Sequence, residues 1–182
     1  MLQNKLIILD RDGVINHDSD DYIKSIQEWI PIEGSLEAIS QLNKAGYRVA
    51  IATNQSGIGR GYYSTATLQA MHQKMQKLLI PFKGHIDHIE FCPHIPDDNC
   101  ECRKPKAGML HKIAQKFVVN PKDMLMVGDT VSDYQVAINA GVEFVLVKTG
   151  KGERTLATGQ LPEEIAVYVN LADYVKHFLR AL

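Results

Sequence analysis

Short unbroken apolar runs alternate along this chain with longer stretches that place apolar residues at every third or fourth position. Leu6-Ile7-Ile8-Leu9 is the first such run, and it predicts a strand over residues 5–9. Leu36, Ile39 and Leu42 stand at helical spacing ahead of Gly46, which predicts a helix over 35–45. A strand over 48–52 follows, then a long helix opened by Ser64 and carrying Leu68, Met71, Met75, Leu78 and Leu79. Further strands are expected at 86–91, 124–127, 144–147 and 166–169, with helices at 109–117, 132–140 and 171–182. Short apolar strands alternating with helices indicate an α/β fold, a doubly wound parallel sheet with helices on both faces. Residues 92–106 form the one long irregular insertion, and such loops are often functional.

In open α/β sheets ligands bind beyond the carboxyl ends of the strands. Four polar clusters fall there: Asp10-Arg11-Asp12, Thr53-Asn54-Gln55-Ser56-Gly57, Cys102-Arg103-Lys104-Pro105 and Gly128-Asp129-Thr130 continuing to Asp133. The first is the most informative. Side chains two apart on an extended chain lie on the same side, so a strand ending in Asp10 and Asp12 delivers two carboxylates to one place. They repel unless a cation lies between them or one is protonated. One can then serve as nucleophile and the other as acid or base.

Phosphoryl transfer fits these groups. A phosphate monoester dianion repels an attacking carboxylate, and a hard divalent cation offsets that repulsion. For Mg²⁺, Asp10 and Asp129 offer side-chain oxygens and Asp12 a backbone carbonyl. Thr53 offers a hydroxyl and Lys104 a point charge for the equatorial oxygens of the transition state. Asp12 is placed to protonate the leaving oxygen and later to take a proton from the hydrolytic water.

The chain has 182 residues, enough for one domain with a sizeable core, and a single domain over residues 1–182 is expected. Twenty Lys and Arg against 21 Asp and Glu leave a net charge of −1, which argues against a nucleic-acid partner. The first apolar run meets Asp10 too soon for a signal peptide or a membrane span, so a cytoplasmic protein without a membrane partner is expected. A small phosphorylated substrate and a monomeric state complete that expectation. Three Cys is an odd count for a disulfide framework, and all three lie in the irregular segment. Cys92-Pro93-His94 and Cys100-Glu101-Cys102 make two ligand pairs suited to tetrahedral Zn²⁺, and four protein ligands make the ion structural. His88 is a competing ligand candidate. Pinning this loop would fix Arg103 and Lys104 over the phosphate site.

The motifs together resemble those of the haloacid dehalogenase superfamily of aspartate-nucleophile phosphatases, with a Rossmann-like sheet. Residues 10–16 resemble its first motif, Thr53 its second, Lys104 its third, and Gly128-Asp129 with Asp133 its fourth. The resemblance implies Asp10 as nucleophile, Asp12 as acid/base, and Asp10, Asp12 and Asp129 as Mg²⁺ ligands. The Cys/His loop and residues 53–61 are similar to the heptose bisphosphate phosphatase subgroup, which is close to the histidinol-phosphate phosphatases. Implied is removal of the C7 phosphate of a heptose 1,7-bisphosphate, of unspecified anomer, on the route to nucleotide-activated heptose for lipopolysaccharide core or surface glycan. The alternative is histidinol-phosphate hydrolysis; outside this class stand a phospho-accepting receiver domain and a zinc-stabilised binding module. In the subgroup Arg103 would recognise substrate and Lys104 stabilise the phosphoryl group. A large cap domain has no room here. The substrate rim is expected from Asp18, Ser19, Asp20, Asp21 and Tyr22 together with Asn54, Gln55, Ser56 and Arg103. Thr130 stands where some relatives carry Lys or Arg, which removes one cation. Residues 17–22 are unusually acidic, and their aspartates repel a bisphosphate unless they point outward or bind sugar hydroxyls.

Overall fold

Strand β1 (Leu6–Leu9) lies inside a six-stranded parallel sheet in the order β3 (His88–Cys92), β2 (Arg48–Asn54), β1, β4 (Met124–Gly128), β5 (Glu143–Val147), β6 (Ala166–Tyr168). The structure is a computed structural model that describes residues 6–181. The remaining elements are α1 (Ser35–Lys44), β2 (Arg48–Asn54), α2 (Ser56–Gly59), α3 (Thr65–Leu79), β3 (His88–Cys92), α4 (Gly108–Phe117) and β4 (Met124–Gly128). They continue with α5 (Val131–Ala140), β5 (Glu143–Val147), α6 (Gly152–Ala157), β6 (Ala166–Tyr168) and α7 (Leu171–Arg180).

The unbroken apolar runs are explained by burial on both faces of the sheet. Ile7 and Leu9 face one side with Val49, Ile51, Val127, Val145 and Val147, under Leu36, Ile39 and Leu42 of α1, Met71 and Met75 of α3, and Tyr174 of α7. Leu6 and Ile8 face the other side with Ala50, Ala52, Met124, Met126, Phe144 and Leu146, under Met109, Leu110 and Ile113 of α4 and Val136 and Ala137 of α5. Alternation along β1 therefore serves two separate cores. Three helix starts follow side-chain chemistry: Ser64 accepts from the Thr67 N–H at α3, Thr130 and Asp133 form a reciprocal capping box at α5, and Asn170 accepts from the Asp173 N–H at α7.

The chain leaves β1 toward β2 on one side and reaches β4 on the other, so the strand order reverses between β1 and β4. The crevice at the carboxyl ends of these two strands is where this fold class binds ligands. Leu9 stands level with Ile51 of β2 and Val127 of β4. Residues Asp10, Thr53 and Asp129 thus emerge at nearly one height.

Several boundaries differ from expectation. β2 runs two residues further, pairing Thr53 with Phe91 and Asn54 with Cys92, so these polar residues end the strand instead of following it. β3 begins at His88 and takes in Cys92. Helices α2 and α6 went unsignalled: α2 is one turn containing two glycines, and six residues of α6 are too few to show a periodic stripe. Lys5, the expected start of the first strand, and Leu182, the expected end of the last helix, lie outside the described residues. Among the described residues no helix is long and apolar enough to cross a membrane.

Candidate active site

Asp10 still belongs to the sheet ladder, its N–H donating to the Val127 carbonyl at 2.9 Å. The chain then turns sharply, with the Arg11 carbonyl accepting from the Ile15 N–H at 2.8 Å. Gly13 makes that turn possible. Its φ is +86°, and a Cβ there would lie 2.2 Å from Asp129 Oδ2, so only glycine lets the turn rest on Asp129.

Asp10 is buried and faces Lys104, whose Nζ lies 3.0 Å from Asp10 Oδ1, 2.6 Å from Asp133 Oδ1 and 2.9 Å from the Ala52 carbonyl. Burial tends to lower the Lys104 pKa, but Asp10 and Asp133 outweigh it and push the ammonium's pKa up. Carboxylate oxygens of Asp10, Asp129 and Asp133 lie within 4.8 Å of one another. Burial, then repulsion from Asp133, raises Asp10 to about 7 despite the pull of Lys104. Burial and the same two carboxylates push Asp129 well up. Asp133 is fully engaged: Oδ1 takes Lys104, while Oδ2 accepts from the Asp129 and Thr130 N–H groups and the Thr130 hydroxyl. Asp129 is not: Oδ2 accepts the Lys151 N–H at 2.7 Å, but Oδ1 is buried without a partner. A buried, unpartnered carboxylate oxygen beside a second carboxylate fits a hard cation with oxygen ligands.

Asp12 lines the same cleft as Asp10. Its carboxylate stands outside the three-carboxylate cluster. It accepts from Arg11 Nε and Nη2, Asn16 Nδ2 at 2.8 Å and Gln55 Nε2 at 3.0 Å. Burial works to raise its pKa, but the Arg11 guanidinium and these hydrogen bonds hold it below the usual carboxylate range.

Arg11 is fully buried, and its Nη1 donates to His72 Nε2 at 3.4 Å. Burial and the guanidinium push His72 down to about 3. The unfolded chain protonates this imidazole near its ordinary value of 6.5, and the folded chain does not. Stability from this group is therefore complete above pH 6.5 and is lost as pH falls toward 3. The expected slope approaches about 1.4 kcal/mol per pH unit. Urea midpoints between pH 7 and 4 should fall less steeply in His72→Gln than in the parent; parallel profiles would refute this.

A cleft of about 330 Å³ opens over these groups. Of the expected rim, Asp18, Ser19, Asp20, Tyr22, Asn54, Gln55, Ser56 and Arg103 line it, along with Asp10, Asp12, Thr53, Lys104 and Asp129. Asp21 does not: its N–H donates to Ser19 Oγ in a tight turn that leaves the residue exposed, away from the cleft. The acidic loop is neutralised locally, Asp18 by Lys151 at 3.2 Å and Asp20 by Arg154 at 2.9 Å. Asn54 spends its amide on a reciprocal clamp, Nδ2 to the Lys104 carbonyl and Oδ1 from the Lys104 N–H. Lys151 and Tyr63 also line the cleft. Lys151 follows β5 in Thr149-Gly150-Lys151-Gly152, a fifth polar cluster at a strand end; Tyr63 carries no pattern that marks it.

Cys92, His94, Cys100 and Cys102 converge beside the cleft, with ligand atoms within 4.8 Å of one another. The cysteines are free; Cys92 Sγ lies 3.0 Å from Cys102 Sγ and 3.5 Å from Cys100 Sγ, and His94 Nδ1 lies 3.3 Å from Cys102 Sγ. Such spacing fits four ligands around one tetrahedral ion. His88 stays on β3, bonded to Glu90 at 2.8 Å, outside this group. Arg103 Nη1 donates to the His94 carbonyl at 3.3 Å, which ties the cluster to the cleft wall.

Residues 101–174 match a family described as HAD-hydrolase-like. The chain is 53% identical over 175 residues to the D-glycero-beta-D-manno-heptose-1,7-bisphosphate 7-phosphatase of Pseudomonas putida, covering 96% of this chain and 99% of that one. The crystal structure of D,D-heptose 1,7-bisphosphate phosphatase from B. bronchiseptica, complexed with magnesium and phosphate, matches with a TM-score of 0.95 at 49% identity, covering 98% of this chain and 99% of that one. The corresponding enzyme from Burkholderia thailandensis matches with a TM-score of 0.76 at 44% identity, covering 96% of this chain and 98% of that one.

Proposed function

Because the chain belongs to the family of D-glycero-D-manno-heptose 1,7-bisphosphate 7-phosphatases within the haloacid dehalogenase superfamily, we propose that it removes the C7 phosphate of this sugar through an aspartyl-phosphate on Asp10. The relatives are named for the β-anomer, which we take as its substrate. The observation that carries the reading is the convergence of Asp10, Lys104 and Asp129 at the switch point, with Asp129 Oδ1 unpartnered.

Asp10 attacks phosphorus as the bond to the C7 oxygen breaks, and Asp12 gives that oxygen its proton. The phosphate dianion opposes an ionised Asp12, which favours the protonated acid while substrate is bound. Lys104 Nζ and the Thr53 hydroxyl stabilise the equatorial oxygens. Water then attacks the aspartyl-phosphate, Asp12 takes its proton, and phosphate leaves with Asp10 regenerated. We assign Asp10, Asp129 and the Asp12 carbonyl to Mg²⁺, which when bound supplies the charge neutralisation that lets a carboxylate approach a dianion. We assign Cys92, His94, Cys100 and Cys102 to a structural Zn²⁺. Asp18, Ser19, Asp20, Tyr22, Ser56 and Arg103 form the rim that reads the sugar. The reaction belongs to the cytoplasm, where it feeds nucleotide-activated heptose synthesis.

The test is phosphate release with Mg²⁺ from both anomers of heptose 1,7-bisphosphate, histidinol phosphate and p-nitrophenyl phosphate. One phosphate per β-bisphosphate is expected, with kcat/KM at least tenfold above every other substrate and loss on adding EDTA. Preference for histidinol phosphate would move the enzyme to another route with the same chemistry. No release from any of the four would refute the reading.

A further inference from the structure

Gln55 touches two groups that the proposed reaction uses. Its Nε2 donates to Asp12 Oδ2 at 3.0 Å and to Thr53 Oγ1 at 2.9 Å. The backbone of Gln55 is anchored, its N–H donating to the Cys92 carbonyl at 2.7 Å. An amide has an accepting and a donating end, and only one orientation serves Asp12. With the ends exchanged, Oε1 would face a carboxylate. Thr53 would then have to donate to Gln55 instead of accepting from it, and its hydroxyl hydrogen would no longer be available to the cleft.

The same orientation is reinforced from the far side. Gln55 Oε1 accepts from the Tyr63 hydroxyl, with a longer contact of 3.3 Å from Arg11 Nη2. Gly57 leaves room for the Tyr63 ring, since a Cβ there would overlap Tyr63 Cε1. Burial raises the phenol to about 12, so it remains a neutral donor. Arg11 Nη2 gives Oε1 only that longer contact, because it also donates to both Asp12 oxygens at 2.8 and 3.0 Å.

We infer that Tyr63 is a positioning residue: acting through the Gln55 amide, it orients the Asp12 carboxylate and frees the Thr53 hydroxyl hydrogen for the phosphoryl group. This rests on the phosphatase reading above. It also moves Gln55 from the substrate rim, where the sequence pattern puts it, to the support behind the acid/base.

The test is a double-mutant cycle read with heptose bisphosphate. Tyr63→Phe should lower kcat about tenfold and leave KM within twofold, because neither Asp12 nor Thr53 is removed. In a Gln55→Met background the same substitution should change kcat by less than twofold, since the relay is already cut. Multiplicative losses, an unchanged kcat in Tyr63→Phe, or a raised KM at constant kcat would overturn the inference; the last is the mark of direct substrate contact. A readout independent of turnover is the Gln55 side-chain NH₂ pair in ¹⁵N-labelled protein. Its hydrogens should exchange with solvent at least tenfold faster in Tyr63→Phe, and unchanged exchange would overturn the inference. If the parent protein releases no phosphate, the phosphatase reading fails by itself, and the NH₂ exchange still decides whether Tyr63 holds the amide.

Discussion

Asp10→Asn is expected to lower kcat by on the order of 10⁴-fold or more while the metal-free fold stays as stable as the parent or becomes more so. The two effects have one origin. Asparagine has nearly the same shape and keeps an oxygen for the Arg11 N–H and for Lys104, but it cannot form the phosphorylated intermediate. Lys104 also keeps Asp133 and the Ala52 carbonyl. What is lost is a buried negative charge that Asp133 and Asp12 oppose. The folded-state pKa of Asp10 is raised, so the sign is opposite to that of a salt-bridged carboxylate. Between its ordinary value of 3.8 and about 7 the unfolded chain releases the proton and the folded chain holds it. Stability therefore falls as pH rises through that window. The variant removes this dependence. Thermal unfolding without Mg²⁺ at pH 5 and pH 8, with kcat on the same preparation, checks both halves. Residual activity above one per cent of the parent would sink the nucleophile assignment, and a large loss of Tm would sink the claim that the charge strains the fold.

Asp10 was legible because two independent signals coincide on it: an apolar run too short for a helix, and a polar cluster at its end. The same coincidence marks Thr53 and Asp129 and places all three on one sheet edge. Their partners are less legible. Asp12 stands two residues from Asp10 and lines the same cleft, but its carboxylate is held by Arg11, Asn16 and Gln55 outside the Asp10–Asp129–Asp133 cluster. Tyr63 is invisible in one dimension, since its role depends on a ring reaching back across Gly57. Asn54 and Gln55 illustrate a general ambiguity: amides in a cleft read as ligand-binding, yet both are consumed in clamps that hold Lys104 and Asp12. The acidic loop shows the converse. Its aspartates looked hostile to a bisphosphate, and their counter-charges Lys151 and Arg154 lie more than 130 positions away in the chain.

Removing the ion we assign to the Cys/His cluster, by chelation or by Cys102→Ser, is expected to lower Tm by about 10 °C or more and kcat by about 100-fold. Burial pushes the Cys92 thiol up, whereas the Arg103 N–H and the neighbouring thiols overcome desolvation and bring Cys100 down to about 6. A tetrahedral ion takes all four ligands as thiolates and neutral imidazole and closes a loop whose residues 96–99 are exposed. Structural zinc contributes several kcal/mol in such loops, and for a chain of this size each ~1 kcal/mol corresponds to ~2–4 °C in Tm. The activity loss follows from chain order. Cys102 is followed directly by Arg103 and Lys104, so freeing the loop frees the ammonium that faces Asp10. The Asn54 side-chain amide still holds the Lys104 backbone by two hydrogen bonds, which limits the loss to less than that of Asp10→Asn. Metal content by mass spectrometry should be one zinc per chain in the parent and near zero in Cys102→Ser, with Tm and kcat falling together. Metal-free protein that keeps its Tm and kcat would refute the structural ion; a fall in Tm at constant kcat would show that the Asn54 clamp alone positions Lys104.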